Sequence, residues 1–240
     1  IEHTALNAAF VEKFGVRLAI SRLLAHLWDL PSHRPAWRAA AAEGAGSGGK
    51  QAQAPPLPPG SPYAATSTYG RFMHHLVTDA TYLLDDAMLR LARLAEHELG
   101  VADAAGWAAL PATARDEREA AAQADAQAVP GYLDLASACI ATIGFTTSDP
   151  ATASPWLSRA MVGRTAEALN YFLKHLAGPG RRGLRVADPG ALHWRPKEML
   201  ASLAAVYVNL ARAAASSGGD AGMATLAAAL ASDTRSFSAD

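Results

Sequence analysis

The run from Arg71 to Leu99, RFMHHLVTDATYLLDDAMLRLARLAEHEL, contains no Gly or Pro. Phe72, Leu76, Leu83, Ala87, Leu91 and Leu94 recur at helical spacing, and Met73, Val77, Ala80, Leu84 and Met88 widen the apolar side. His75, Thr78, Asp85, Asp86, Arg93 and Glu96 mostly fall elsewhere around the helix. A stripe this wide has to be covered from more than one direction. The spacing therefore predicts a central, largely buried helix, and any fold for the chain must be built around it.

The rest of the composition agrees with a helical protein. Half of the 240 residues are hydrophobic, but Ala supplies much of that share and aromatics only 7%. Ala favours helix and β-branched residues are sparse. The formal charge is −1, so no strong field points to nucleic acid or an anionic membrane. Cys139 is the one cysteine, which excludes an internal disulfide framework and fits a reducing compartment. No uninterrupted membrane-length apolar segment and no charged-then-apolar leader are read from the sequence. Opening on Ile1, the chain is expected to be a piece of a longer protein.

Along the chain, a first helix is expected from about Thr4 to Leu30, with Phe10, Phe14, Leu18, Leu24 and Leu27 near one face and Val11, Ile20, Leu23 and Trp28 beside it. Pro31 disfavours the α region at Leu30 and ends it. From Arg38 to about Tyr69 the chain is dense in Gly, Pro, Ala and Ser, with almost nothing to bury. That segment is expected to be a disordered insertion, and Pro55-Pro56-Leu57-Pro58-Pro59 reads as low-complexity loop rather than a partner site.

After Gly100, a short helix anchored by Trp107 and Leu110 stops at Pro111. Residues 112–128 read as an exposed helix, and Pro130 as the opening of the next, with Tyr132, Leu133, Leu135, Ala136, Ile140 and Ile143 on its apolar face. Ser154-Pro155 reads as a helix start for the stripe Leu157, Met161, Ala168, Leu169, Phe172, Leu173 and Leu176, stopped at Gly178-Pro179. Arg195-Pro196 opens a helix with Met199, Leu200, Leu203, Val206, Tyr207 and Leu210. Ser216 to Gly222 breaks it, and a last short helix runs from Met223 to Leu230. The sum is an all-α chain of about seven or eight helices, an irregular α-solenoid or multi-helix superhelical core without an exact internal repeat. The expected organisation is a core helix in 1–37, an insertion in 38–68, and the remainder of one domain in 69–240.

Motifs that could carry chemistry read better as structure. Asp85-Asp86 on a helix resembles the aspartates with which isoprenoid synthases hold magnesium and pyrophosphate. The position one turn after Asp85 is Leu89, however, and Asp86 is placed to pair with Arg90 at i,i+4. Gly178-Pro179-Gly180-Arg181-Arg182-Gly183 matches G-x-G-x-x-G literally, but it follows a helix rather than a strand and reads as an inter-helix turn. His74 and His75 are adjacent, so they point about 100° apart on a helix and cannot chelate one ion together. Cys139 reads as a small buried side chain, and Tyr171, Tyr207 and the tryptophans as packing residues. No catalytic residue, cofactor site or metal site is assigned.

A series of short motifs then brings in a resemblance. Phe10-Val-Glu-Lys-Phe14-Gly-Val-Arg17, with Leu27-Trp28 after it, is similar to the F-x-x-K-F-x-I-R…L-W segment of the ubiquitin-chain elongation factors. These are U-box ligases also called ubiquitin conjugation factors of the fourth-step class. Asp79-Ala-Thr-Tyr82-Leu-Leu-Asp85 resembles their N-D-x-T-Y-L-L-D-E segment, with Thr78 where the family has Asn. Trp107…Leu110-Pro111 resembles W-x-x-L-P, and Leu169-Asn170-Tyr171…Gly178-Pro179 resembles L-N-Y-N-L-x-x-L-x-G-P. Leu184-Arg-Val186…Pro189 resembles L-K-V-x-x-P. Trp194-Arg-Pro196-Lys197 resembles the F-x-P-K turn, Tyr207-Val-Asn209-Leu210 resembles Y-L-N-L, and Asp233-Thr-Arg235-Ser-Phe237 resembles D-x-R-S-Y. The matches fall in order and cover nearly everything outside 38–68.

The resemblance implies the C-terminal part of the family's helical core. Its role would be a scaffold supporting ubiquitin–ubiquitin ligase activity in protein ubiquitination and proteasomal degradation. It further implies ubiquitinated substrates and an AAA-type segregase as partners, no cofactor, and a place in cytoplasm and nucleus. The U-box, which recruits the charged conjugating enzyme, normally follows D-x-R-S-Y and is expected to lie outside these 240 residues. The alternative is a stand-alone α-solenoid adaptor without ligase activity. Phe14, Arg17, Trp28, Asp79, Tyr82, Asp85, Asn170, Gly178, Pro179, Pro196, Lys197, Tyr207, Asn209 and Arg235 are implied to be architectural, with Asp79 and Tyr82 holding neighbouring helices by hydrogen bonds.

Overall fold

A computed structural model describes residues 2–43, 67–233 and 236, with side chains from residue 14 onward. Among the described residues there is no strand. Eight α segments follow one another: α1 (Glu2–Asp29), α2 (Arg34–Glu43), α3 (Thr68–Ala102), α4 (Ala104–Ala109), α5 (Ala112–Ser148), α6 (Pro150–Ala153), α7 (Val162–Ala177) and α8 (Pro196–Ala231). The all-α, multi-helix expectation holds.

The Arg71–Leu99 stretch lies within α3, which is capped at Ser67, whose hydroxyl accepts from the Gly70 N–H at 3.0 Å. It runs through Gly100 to Ala102, further than the glycine suggested. Leu83, Leu84, Ala87 and Leu91 are fully buried, and α5 covers them with Val129, Leu133, Ala136 and Ile140. On the other flanks of α5 lie α1 and α8, and α8 also packs on α7, adding Leu169, Phe172, Leu176, Leu203, Val206 and Leu210 to one continuous core. The apolar side of α3 is as wide as it is because α5, α7 and the segments around α2 all use it.

Several boundaries differ from the sequence reading. Pro130 does not open a helix; it sits inside α5, which runs unbroken from Ala112 to Ser148. A proline there deletes one N–H donor and crowds the carbonyl one turn back, a cost of about 3 kcal/mol. Val129, Tyr132 and Leu133 are all buried around it, and at about 1.5–3 kcal/mol for each large apolar side chain that burial outweighs the proline penalty.

The helix expected from Ser154 begins instead at Val162. Asp149 caps the short α6, its carboxylate accepting from the Ala151 N–H at 3.0 Å, and a 3-10 turn at Ser154–Leu157 carries the fully buried Trp156. The low-complexity segment is also shorter at its edges than 38–68. Arg38 to Glu43 belong to α2, with Ala41 buried, and at the other edge Ser67 caps α3, which starts at Thr68. Residues 44–66, including the proline run, lie outside the described residues.

The break expected between Ser216 and Gly222 is present. Gly219 adopts φ 53°, ψ −136° and divides α8 into two arms. The arms fold back so closely that a Cβ on Gly222 would stand 2.3 Å from the Ala214 carbonyl oxygen. The Gly178–Gly183 segment is an inter-helix 3-10 turn, as read. A Cβ on Gly178 would meet the Lys174 carbonyl at 2.2 Å, so the end of α7 requires glycine.

By length and composition α5 and α8 could each cross a membrane, which amends the expectation that no segment could. In the structure their apolar sides form the core between α1, α3 and α7.

Candidate functional site: the groove between α3 and α7

The residues that carry the family resemblance lie far apart in sequence, and the fold gathers several of them. Alongside one another, α3 and α7 run in the same direction. Thr78 accepts from Arg164 Nη2 at 3.0 Å, and seven residues further on Asp85 accepts from the Tyr171 hydroxyl. Between them lies a groove of about 670 Å³. Val77 and Ala168 line it, with Tyr82, Asp85, Glu167, Tyr171, Lys174 and His175 around them, and Asp233 and Ser236 enter from beyond α8. Three separate motifs thus meet on one surface.

Within the groove the chemistry is polar and aromatic. The His175 ring lies tilted against Tyr171, with centroids 4.1 Å apart, and its Nδ1 lies 2.8 Å from the Tyr171 carbonyl. Burial, and then the hydrogen bond to Asp85, push the Tyr171 phenol above its ordinary range, so it remains a neutral donor. Tyr82 is 63% exposed and forms part of the groove wall. The expectation that Tyr82 bridges helices is therefore corrected: Tyr171, one helix over, makes the bridge to this motif.

Asp79 pairs with Arg17, tying α1 to α3. Phe14 packs edge-on against Tyr132 at 5.0 Å, and Trp28 is buried on Phe145 at 5.2 Å. Asn170 donates to the Leu230 carbonyl at 2.8 Å and accepts from the Tyr207 hydroxyl at 3.1 Å, joining α7 to both arms of α8. Asn209 donates to the Gly144 carbonyl at 3.0 Å, locking α8 to α5. Gly178 and Pro179 terminate α7, and Pro196 takes the first turn of α8 with Lys197 exposed beside it. Arg235 lies outside the described residues. Most of these positions hold helices together; Tyr82, Asp85 and Tyr171 also face the open groove.

Two polar clusters were missed by the sequence reading. Asp125, buried on α5, accepts from Arg90 Nη1 and from Arg93 Nε and Nη2, each at 2.8 Å. Arg90 also holds Asp86 at 2.9 Å, the i,i+4 pair read from sequence, and its guanidinium lies over the Tyr132 ring. Two arginines bordering the α3 stripe were the available signal that an acid would face them. Elsewhere, Arg38 grips Asp149 through Nε at 3.0 Å and Nη2 at 2.6 Å.

This arrangement does not assemble a diphosphate site. Asp85 is held by Tyr171 and Asp86 by Arg90, so the two carboxylates serve different neighbours. Among the described residues, no group of three or more His, Cys, Asp or Glu side chains could hold a metal ion. Cys139 is buried, and burial raises its thiol pKa to about 12, which leaves it protonated and unreactive.

Relatives in other organisms match this chain over most of its length. It is 32% identical over 212 residues to a probable ubiquitin conjugation factor E4 of Arabidopsis thaliana, covering 88% of this chain and 18% of the relative. Ubiquitin conjugation factor E4 A of Rattus norvegicus is 29% identical over 210 residues, with the same coverage. The E4 ubiquitin-protein ligase UFD2 of Saccharomyces cerevisiae is 26% identical over 247 residues, covering 99% of this chain and 21% of the relative. The chain spans about a fifth of the length of these relatives. Residues 1–240 in full match the family described as the ubiquitin elongating factor core, and the chain belongs to that family.

Proposed function

We propose that this chain is a scaffold segment of a ubiquitin-chain elongation ligase, supporting ubiquitin–ubiquitin ligase activity in protein ubiquitination and proteasomal degradation, including that of proteins withdrawn from the endoplasmic reticulum. The observation that carries this reading is the family match across residues 1–240. The packing supports it: α3 and the part of α5 from Asp125 to Thr147 form a long buried spine, stiff enough to hold two bound surfaces at a fixed separation. The partners fitting this role are ubiquitin-bearing substrates, an AAA-type segregase, and a charged conjugating enzyme recruited by a U-box elsewhere in the longer protein. Its place of action is cytoplasm and nucleus.

In this reading no residue of the segment touches the reacting thioester. The segment contributes by orientation, since holding reactants in place lowers the entropic part of the barrier. The test is a chain-extension assay with activating enzyme, conjugating enzyme and a substrate carrying a short ubiquitin chain. The intact protein extends the chain, and the 240-residue segment alone gives no growth above a no-protein control. Growth with the segment alone would overturn the scaffold role.

A further inference from the structure

The turn that leads out of α7 toward α8 presents three arginines with nothing of opposite charge against them. Arg181, Arg182 and Arg185 are exposed, and among the described residues none of them pairs with a carboxylate. Elsewhere Arg17, Arg38, Arg90, Arg93 and Arg195 each hold an acid. The two acids beside this turn serve the backbone instead: Glu98 accepts from the Ala187 N–H at 2.8 Å and Asp188 from the Ala191 N–H at 2.9 Å. The end of α7 does not need the three guanidiniums either. Lys174 and His175 already occupy its last turn, where a cation opposes the helix dipole.

The turn itself is held in place. It packs on α3 and α7, Leu184 is buried, and Val186 lies against the core. The Arg181 N–H donates to the Gly178 carbonyl at 3.1 Å, and further on the N–H of the buried Trp194 donates to the Pro189 carbonyl at 2.8 Å. We propose that Arg181, Arg182 and Arg185 are the docking surface for an acidic peptide segment of another protein, rich in Asp and Glu. A planar guanidinium binds a carboxylate through two parallel hydrogen bonds. From residue 181 to 185 the backbone advances about 8 Å at roughly 2 Å per residue, a distance spanned by carboxylates two or three residues apart on an extended peptide. Nucleic acid fits less well. The chain's formal charge is −1, and three arginines fall short of the roughly 6–10 phosphate contacts a duplex-binding protein makes. An anionic membrane would gain only about 1 kcal/mol from each cation. Because the turn is already ordered, the cost of ordering falls on the peptide alone.

The test is fluorescence anisotropy with the intact protein and a labelled peptide of repeated Glu-Gly-Glu units, with the Gln-Gly-Gln peptide as control. The acidic peptide binds, the Gln peptide does not, and the affinity falls as salt is raised. Arg181→Glu, Arg182→Glu and Arg185→Glu combined weaken binding at least about tenfold. Arg118→Glu, Arg159→Glu and Arg212→Glu combined make the same change in net charge at three other exposed arginines, and weaken it less than about twofold, because distant surface charges are screened. The melting temperature of the turn variant stays within about 2 °C of the parent, as for other surface changes. Equal weakening by the two triple variants overturns the proposal, since the attraction then belongs to net charge. Absence of binding to the parent also overturns it, and a large fall in the turn variant's melting temperature does so by assigning the arginines to stability. Tighter binding of a DNA duplex, lost in the turn variant, overturns it in favour of nucleic acid.

Discussion

The Tyr171 hydroxyl donates to the Asp85 carboxylate across the groove between α7 and α3. One bond thereby connects two motifs separated by 86 residues and ties α7 to α3 where both line the groove.

That bond should show coupling in a double-mutant cycle. Tyr171→Phe and Asp85→Ala each destabilise by about 1 kcal/mol, the scale for a partly exposed hydrogen bond, and the pair by less than the sum. Asp85→Asn lowers the pH at which Tyr171 ionises, measured by ultraviolet difference absorbance, because the neutral amide no longer repels the phenolate. The shift is partial, since burial is the larger cause of the raised value. Strict additivity would show that the bond carries no stability.

Acid stability is expected to depend on Asp149. Burial pushes its carboxyl up, but the Arg38 guanidinium and the Ala151 N–H outweigh it, and the net pKa falls below the ordinary 3.8. A carboxyl with a depressed folded pKa contributes stability that is complete well above 3.8 and is lost as pH falls through the folded value. Arg38→Gln should therefore lower the melting temperature at neutral pH and flatten its decline below about pH 4. Parallel melting curves for the two proteins across that range would sink the assignment.

Much of this was legible in the sequence, and the failures are instructive. The Arg71–Leu99 helix was readable because its stripe is long and free of breakers. Pro130 was misread because a proline signals a local preference, whereas Val129, Tyr132 and Leu133 impose a tertiary one. Ser154-Pro155 has the composition of a helix start, but it opens only a 3-10 turn after the short α6 that Asp149 caps, and the expected stripe's helix begins at Val162. Tyr82 and Tyr171 are both tyrosines on largely apolar helices, and periodicity alone cannot say which reaches a neighbour. The groove itself was invisible, since it depends on α3 and α7 running in the same direction, which no local pattern specifies.

Asp125 is the site where a single change should cost most. It is buried and satisfies Arg90 and Arg93 together. Asp125→Asn keeps the shape but removes the charge, leaving Arg93 without a carboxylate and Arg90 with Asp86 alone. We expect a loss of about 2–4 kcal/mol by urea denaturation. Asp125→Leu should not rescue it, because both arginines remain. A loss under about 0.5 kcal/mol would mean that solvent compensates Arg93 and Arg90 well enough alone.

Two of the three glycines of α8, Gly219 and Gly222, should fail for different reasons. Gly219→Ala forces a side chain into φ 53°, ψ −136°, a conformation that costs about 1–3 kcal/mol for any residue with a Cβ. Gly222→Ala is helical but drives its methyl into the Ala214 carbonyl, and the arms must separate. The first variant should lose stability with packing unchanged. The second should also raise hydrogen exchange along residues 220–231, because Leu226 loses its seat. Equal exchange in the two variants would contradict the clash.

Asn170 offers the sharpest test of the signature residues, because its two amide atoms do different work. Its Nδ2 donates to the Leu230 carbonyl and its Oδ1 accepts from Tyr207. Asn170→Ala orphans both partners and should cost about 2–3 kcal/mol. Asn170→Asp keeps the acceptor but sets a carboxylate against the Leu230 carbonyl in a buried position. Protonation restores a donor there, so the variant's deficit relative to the parent should shrink as pH falls toward the carboxyl range and widen toward neutrality. Tyr207, already raised to about 12 by burial and by Asp233, should ionise at a still higher pH beside the added charge. A deficit that does not change with pH would mean that the contact with Leu230 contributes little and that Asn170 acts through Tyr207 alone.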